Sequence, residues 1–243
     1  MGSGSMMYPA PNAAGFLAAL ITHGILLEST KNSQKQKLQA EADKVLLPYQ
    51  EVLRDFGMAD LLQRSLQKSR LGPDSTLQPE SSASVGDWVA GVVPAYAMTQ
   101  DGRALILEAA VSLRDRHATA AAYQGVIRVV SSPREDVELP TYWTAEEGKA
   151  LKDEAATMLA HALDIATQLG MGAPPPDVAK QRTFRYRAGT TDRYERAELL
   201  RDECDRLVVR NLRGTLMSIP FKRDTGIPCD AGRSLSSEAS SRP

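Results

Sequence analysis

The chain has 243 residues, of which 42% are hydrophobic and 24% charged, and its 29 basic and 30 acidic side chains leave a formal net charge of −1. This length and composition are typical of a globular protein that can bury a sizeable core, in one large domain or two small ones. The charge balance argues against a nucleic-acid partner, which normally requires a basic excess. It also implies no bulk electrostatic attraction to anionic lipid.

The first notable segment is an uncharged apolar run, Ala13–Leu27, which follows a stretch (residues 1–6, MGSGSM) typical of an expression leader. Asn12 is a candidate N-cap, so the run is predicted to be helical. It is shorter than the roughly 20 apolar residues that span a bilayer, yet it is more apolar than a surface helix. We therefore expect a protein core, a partner or a membrane surface to bury it.

Small residues in the apolar run allow another helix to approach closely. Together with its one histidine they are the candidate interaction residues: Gly15, Ala18, Ala19, His23 and Gly24. His23 interrupts the run and is interpreted either as a hydrogen-bonded core residue or as a titrating or ligand-binding group. The alternatives for the run itself are a buried core helix, a membrane contact and an oligomer contact.

Helical spacing of apolar residues continues through residues 35–47, and Pro48 ends or kinks that helix. A further helix is predicted over Tyr49–Gln67, with Gly57 as a candidate break. Residues 71–84 are rich in proline and serine, and this composition is typical of a linker.

Beyond the linker the pattern becomes that of strands. Strands are predicted at Trp88–Thr99, at Arg103–Arg114 and at Ala121–Ser132, and Asp101-Gly102 supplies a hairpin turn between the first two. The middle strand alternates, with its leucines and other apolar residues on one face. Short connections between the three strands predict an antiparallel meander.

A long helix should follow, opened by a capping box formed by Thr144 and Glu147, running to about Leu169 and stopped by Gly170 and Gly172. It carries one apolar stripe that is wide enough to cover a sheet, made of Leu151, Ala155, Met158, Leu159, Ala162, Ile165, Ala166 and Leu169. A short strand is predicted at Thr183–Arg187, a last helix from Asp192 to about Leu212, and a final strand at Thr215–Pro220.

These elements predict an α/β sandwich (α+β), in which N-terminal helices precede an antiparallel β-meander covered on one face by long helices. The expected organisation is a leader (1–6), an N-terminal helical region (7–70), a linker (71–84), an α/β domain (85–221) and a disordered tail (222–243). The element order is similar to that of small α/β domains of envelope-assembly proteins, such as the N-terminal domain of TolB and the curli-secretion lipoproteins. This likeness is one of topology alone, with no shared motif, and no functional residue is carried over from it.

Enzyme signatures are missing from the sequence. It contains no glycine-rich phosphate loop, no serine nucleophile elbow, no HExxH and no paired CxxC. His161 lies three residues before Asp164, which is able to orient an imidazole, but without a neighbouring nucleophile both His161 and His117 are interpreted as solvated polar residues. We therefore expect no catalytic residue, no cofactor and no metal.

Arginines and cysteines are the remaining candidates. Arg185 and Arg187 alternate with aromatic residues, as in a nucleic-acid-binding stripe or as in an edge strand whose arginines prevent edge-to-edge pairing; Arg185 and Arg187 are also candidate interaction residues. Cys204 and Cys229 are able to form one disulfide in an oxidising compartment, or to remain two unrelated thiols.

The leading hypothesis is a non-enzymatic, bacterial envelope protein, periplasmic or membrane-associated, that contacts a protein partner or itself through the N-terminal helix. A membrane surface is a further expected contact, and no nucleic acid is expected. The second hypothesis is a small-ligand or lipid-binding protein with a pocket between the long helix and the sheet. The third, an enzyme that uses His161 or His23, would require two polar groups converging on either ring in a closed cleft.

Overall fold

The computed structural model describes residues 46–72, 75, 77, 87–135, 137–171 and 180–222. The apolar run with Gly15, Ala18, Ala19, His23 and Gly24 lies outside these described residues. So do the capping residue Asn12, most of the linker 71–84, Cys229 and nearly all of the tail after Lys222.

Three helices and seven strands make up the described fold. After a short 3-10 helix (Leu47–Tyr49), the helices are α1 (Gln50–Arg54), α2 (Met58–Lys68) and α3 (Leu139–Met171). The strands are β1 (Trp88–Met98), β2 (Leu105–Asp115), β3 (Tyr123–Val130), β4 (Arg182–Ala188), β5 (Thr191–Asp202), β6 (Arg206–Asn211) and β7 (Leu216–Pro220).

The strands form one mixed sheet in the order β1-β2-β3-β7-β6-β5-β4. Every neighbouring pair is antiparallel except β3 and β7, which are parallel and join the meander to the C-terminal strands. The predicted meander β1-β2-β3 is confirmed, with Leu107 opposite Tyr96 on one side and Val129 on the other. The sheet and the helices that pack on it confirm the α+β sandwich.

Helix α3 covers one face of the sheet, as its apolar stripe predicts. Leu151, Leu159 and Ile165 are buried against the inward-facing residues of β2 and β3. The hydroxyl of Tyr96 on β1 donates to the carbonyl oxygen of Ala155 at 2.6 Å, which fixes α3 over the meander. Leu169, the last residue of the stripe, is only partly buried.

The short helices complete this core from the side of α3. Tyr49, Leu53, Phe56 and Leu61 are buried in the same cluster as the sheet residues. The chain does break at Gly57, which is extended and serves as the N-cap of α2. The predicted helix over Tyr49–Gln67 is therefore two helices that share the core of the α/β unit.

The predicted capping box is wrong. Helix α3 begins at Leu139, and the hydroxyl of Thr144 donates to the carbonyl oxygen of Pro140 at 2.7 Å instead of capping a new helix. A break at Ala145–Gly148 then divides α3, with Glu146, Glu147 and Gly148 in left-handed conformation. Trp143 explains the earlier start, because it is fully buried and its indole N–H donates to the carbonyl oxygen of Gly102 at 2.7 Å.

Gly148 is required at this break. Its φ is +75°, and a Cβ atom there would lie 2.0 Å from a methyl carbon of Val52 on α1. Both the backbone conformation and the close approach favour glycine. Gly170, which was predicted to stop the helix, lies inside α3.

The predicted helix from Asp192 to Leu212 is also wrong, because this segment forms the hairpin β5–β6. Charged residues of this segment pair across strands: Arg210 lies opposite Glu198 and donates to it at 2.7 Å and 3.0 Å. Ala197, Leu199 and Val209 are buried. Long-range strand pairing has overridden a local helical pattern here. The predicted strands at β4 and β7 are confirmed.

The C-terminal strands curl and build a second core on the face of the sheet opposite α3. A register shift between Leu199 and Arg201 interrupts the β5–β6 pairing, and such bulges bend a strand. Edge strand β4 also approaches β7. The buried members of this second core are Val130, Phe184, Tyr186, Ala188, Ala197, Leu199, Leu207, Val209, Met217 and Ile219.

Asp101 ties the curled strands back to the meander. Its carboxylate accepts hydrogen bonds from the amide N–H and the hydroxyl of Thr190, at 2.5 Å and 2.8 Å. It also accepts from the hydroxyl of Thr99 at 2.6 Å and from the amide of Arg103 at 3.1 Å. Partial burial alone would raise the pKa of Asp101, but these hydrogen bonds hold it below its ordinary value. We call this arrangement the turn clasp, because it joins the β1–β2 turn to the β4–β5 turn.

Glycine is required beside the clasp as well. Gly189 has φ +65°, and a Cβ atom would lie 2.3 Å from a carboxylate oxygen of Asp101. The two hairpins that the clasp joins include the two opposite edge strands, β1 and β4. The clasp therefore holds the curl of the whole sheet.

We predict that Asp101→Ala lowers the free energy of unfolding by about 1–3 kcal/mol, because donors in both turns lose a charged acceptor. Asp115→Ala is the matched control, since Asp115 is also an aspartate beside a hairpin turn and accepts from the exposed amide of His117 at 2.7 Å. Urea unfolding monitored by circular dichroism measures both. Equal destabilisation by the two substitutions would contradict a special role for the clasp.

Candidate functional site

A polar cluster lies where α3 meets β7, with His161 at its centre. The ring atom Nε2 of His161 is 2.8 Å from the hydroxyl oxygen of Ser218 on β7 and 3.2 Å from a carboxylate oxygen of Glu203. Glu203 follows β5 in the β5–β6 turn and also pairs with Arg201 at 2.5 Å. Three separate parts of the fold therefore converge on one imidazole.

Arg206 on β6 closes the cluster. Its Nε donates to the hydroxyl oxygen of Ser218 at 3.0 Å, and one of its terminal nitrogens donates to the carbonyl oxygens of Val130 at 2.6 Å and Ser218 at 3.1 Å. Ser218 is completely buried. The guanidinium group thus joins β3, β6 and β7 beneath α3.

The imidazole of His161 is held in its neutral form. Burial is the main cause, and the positive charges of Arg206, Arg201 and Arg70 add to it, lowering the pKa of His161 from 6.5 to about 4. A ring that is neutral at pH 7 is able to accept a proton from a serine hydroxyl, which is the requirement for a general base.

The geometry nevertheless differs from that of a serine nucleophile with its base. In a catalytic triad the serine and the carboxylate contact different ring nitrogens, whereas Ser218 and Glu203 both contact Nε2 of His161. The Ser218 side chain is inaccessible to a substrate, with 0% of its surface exposed. The contacts of this cluster are therefore those of a structural network that joins α3 to the sheet.

The interpretation of His161 as a solvated residue is wrong. Asp164, its predicted neighbour, instead accepts from the hydroxyl of Ser69 at 2.6 Å and from the amide of Arg70 at 3.0 Å. Ser218 and Arg206 were missed because they lie far from His161 in sequence. The only local signal was a serine inside the apolar strand β7, where a buried hydroxyl needs a hydrogen-bond partner.

A small cavity lies beside the turn clasp, and His161 is not among the residues that line it. Its volume is about 230 Å³, and it is lined by Arg103, Pro133, Glu135, Arg187, Gly189 and Thr190. Its charged groups already have partners: Arg187 pairs with Glu135 at 2.9 Å, and Arg103 donates to the carbonyl oxygen of Arg134 at 2.7 Å. These pairings leave the cavity without strong selectivity for a charged ligand.

The candidate residues Arg185 and Arg187 lie on β4, an edge strand of the sheet. Both are exposed, and Arg185 pairs with Asp192 at 2.6 Å. Their aromatic neighbours Phe184 and Tyr186 point into the second core. The aromatic residues of this stripe are thus not available for stacking with bases.

The described residues leave one surface of the meander uncovered, on the side opposite α3. Because side chains alternate along a strand and Tyr96 faces α3, the odd-numbered residues of β1 point away from the helix. The register aligns Val93 with Ala110, and Ala110 with Val126. Val93 is 63% exposed and Val126 is 37% exposed. We call this surface the open face: Val89, Gly91, Val93, Ala95, Ala110, Ser112, Gln124 and Val126.

Among the described residues there is no group of three or more histidine, cysteine, aspartate or glutamate side chains that could hold a metal ion. None of the helices in the described part of the chain combines the length and the apolar character needed to cross a membrane. Cys204 is disulfide-bonded. Since Cys229, the second cysteine of the chain, lies outside the described residues, the Cys204–Cys229 pairing stays a prediction.

Comparison with known proteins gives no match: no family model, no curated protein and no solved structure is similar to this chain.

We predict that the free energy of unfolding falls as the pH is lowered from about 6.5 to about 4, by up to roughly 3 kcal/mol from His161 alone. The sign follows from proton binding. A lowered pKa means that the unfolded chain binds more protons than the folded chain in this range, so stability is complete above pH 6.5 and is lost below it.

Urea unfolding at several pH values tests this, with His161→Gln as the variant and His117→Gln, at an exposed position, as the control. The His161 variant should show a shallower loss of stability between pH 6.5 and 4.5, and the His117 variant should follow the parent protein. The same slope in all three proteins would contradict the burial of a neutral His161.

Proposed function

We propose that this protein is a non-enzymatic assembly protein that acts through protein–protein contacts of the apolar run Ala13–Leu27. The open face of the meander is the surface of the described fold that best supports a role in contacts. The proposed location is the bacterial periplasm or cell envelope, and the proposed contact is a protein partner or a second copy of this chain.

The open face is the observation that carries this proposal. Strand β1 lies at the edge of the sheet and has no charged residue between Trp88 and Met98, whereas the other edge strand, β4, carries three arginines. Natural edge strands are usually protected by charges, and exposed apolar patches mark interaction sites. The row of Val93, Ala110 and Val126 is such a patch.

Pro94 limits how β1 can be used. A proline in an edge strand normally turns its nitrogen away from the neighbouring strand, and so the outer edge of β1 lacks a donor near its centre. Addition of another strand to this edge is therefore disfavoured. The face of β1, not its edge, is the better docking surface.

The polar cluster supports a role other than catalysis. Nε2 of His161 lies 2.8 Å from the hydroxyl oxygen of Ser218, and this contact is the observation that favours an enzyme. Ser218 is buried, however, and its oxygen already accepts from Arg206. A substrate would have to displace part of the sheet to reach it.

The alternative of a ligand-binding pocket between α3 and the sheet receives less support. That interface is filled by side chains from both layers, including Leu107, Ile127, Leu151 and Leu159, which are at most 1% exposed. A ligand would have to open this close-packed core. The proposed oxidising compartment is supported by the disulfide bond of Cys204.

We expect that deleting residues 7–30 abolishes assembly, because these residues contain the proposed contact segment. The molar mass of the full chain, measured by light scattering between low and high protein concentration, should rise above the 26.4 kDa of one copy. The deletion variant should remain a single copy at every concentration.

Deletion of residues 230–243 is the control, since it shortens the other end and keeps Cys229. It should assemble like the full chain. Flotation with lipid vesicles identifies a membrane contact in the same samples. If the 7–30 deletion changes neither the mass nor the vesicle binding, the proposed function is wrong.

A further inference from the structure

The open face offers an uncharged surface that nothing in the described part of the chain covers. At its centre lie Val93, Ala110 and Val126, in register across three strands. Charged side chains lie at both ends of this surface. Glu108 and Arg128 pair with each other at its border with the second core, and Arg114 lies opposite Val89 at the other end. A partner for the apolar centre of this surface should itself be uncharged.

We propose that the apolar run Ala13–Leu27 of the same chain docks on the open face. This inference deepens the proposed function, since it names what covers the contact segment before a partner arrives. Assembly then requires the run to exchange this intramolecular contact for an intermolecular one.

Charge is the first argument for this occupant. The run has no charged residue, and a charged partner would lose hydration over the apolar row without gaining an ion pair. Burial of its leucines and isoleucines against Val93 and Val126 removes apolar surface from water on both sides, which is favourable. The run and the face thus match in chemical character.

Size is the second argument. Three strands about 4.8 Å apart, with side chains, make a face roughly 14 Å wide and 26 Å long. A helix of 15 residues is about 22 Å long and 10 Å wide, so a helical run of this length fits within the face.

A covalent tether also favours the intramolecular contact. Residues 28–45 link the run to Leu46, which is buried near the start of the described chain. These 18 residues reach about 27 Å as a helix and about 60 Å when extended. Tyr49 lies close to Gly102 in the β1–β2 turn, and Val93 is about 17 Å along β1 from Met98, the last residue of that strand. Leu46 and Tyr49 are buried on the α3 side of the sheet, so the linker has to pass around the edge of the sheet, which its extended length allows. The linker is thus long enough, and it raises the effective concentration of the run to the millimolar range.

Hydrogen exchange of the full chain, followed by mass spectrometry, tests this proposal. The measurement is made at a concentration at which light scattering gives the mass of one copy, 26.4 kDa. Peptides that cover Ala13–Leu27 should be protected from exchange. Val93→Glu should raise their exchange rate at least about tenfold, because a carboxylate on the open face has to be desolvated under the docked run.

Tyr194→Glu is the matched control. Tyr194 lies on β5 and is 65% exposed, almost the same as Val93 at 63%. The Tyr194→Glu substitution should leave the exchange rate of peptides from Ala13–Leu27 unchanged. Peptides from α3 report whether each variant is folded, and Val126→Glu replaces Val93→Glu if the latter disturbs them.

Three results would overturn the proposal: no protection of the run in a single copy, equal protection in the Val93 and Tyr194 variants, or protection that arises only in an oligomer or after vesicles are added. The last result would assign the run to a second copy or to a membrane. Failure of the proposed function is distinct from these, since it is measured by mass as a function of concentration and not by protection within one copy.

Discussion

The packing of α3 on the meander is the interaction on which the rest of the structure depends. The apolar stripe of α3 fills one face of β2 and β3, and the same helix receives Tyr49, Leu53 and Leu61 from the short helices. Helix α3 also places His161 against Ser218 of β7. One helix thereby joins the N-terminal helices, the meander and the curled C-terminal strands into a continuous body.

Helix α3 covers only one face of the sheet. The opposite face is covered in one half by the curled C-terminal strands and is left open in the other half. Over β4 to β7 the curl of the strands closes it, and the turn clasp at Asp101 holds that curl. Over β1 to β3 the described chain leaves it open, and the centre of that surface, formed by Val93, Ala110 and Val126, is apolar. Function is proposed to reside on this open face and in the apolar run, and the buried polar cluster serves the fold.

Much of the fold was predictable where a local pattern and the tertiary structure agree. Alternation in β2 and the Asp101-Gly102 turn identified the hairpin, and the stripe of α3 identified the layer that covers it. Prediction failed where long-range contacts decided the outcome. The segment from Asp192 to Leu212 forms a hairpin in which Arg210 and Glu198 pair across two strands, and the burial of Trp143 moved the start of α3 away from Thr144. The candidate residues Arg185 and Arg187 lie on the expected edge strand. Ser218 and Arg206 were not predicted, since the one local signal was the position of Ser218 inside an apolar strand.

The most direct test of the central claim is a nuclear Overhauser measurement between methyl groups in the dilute, single-copy protein. Isotope labelling of valine, leucine and isoleucine methyls would connect the run to the open face through short interproton distances. We expect cross-peaks from Val93 and Val126 to methyls of Ala13–Leu27. If the methyls of Val93 and Val126 give no cross-peak to any methyl of Ala13–Leu27, the run does not dock on the open face.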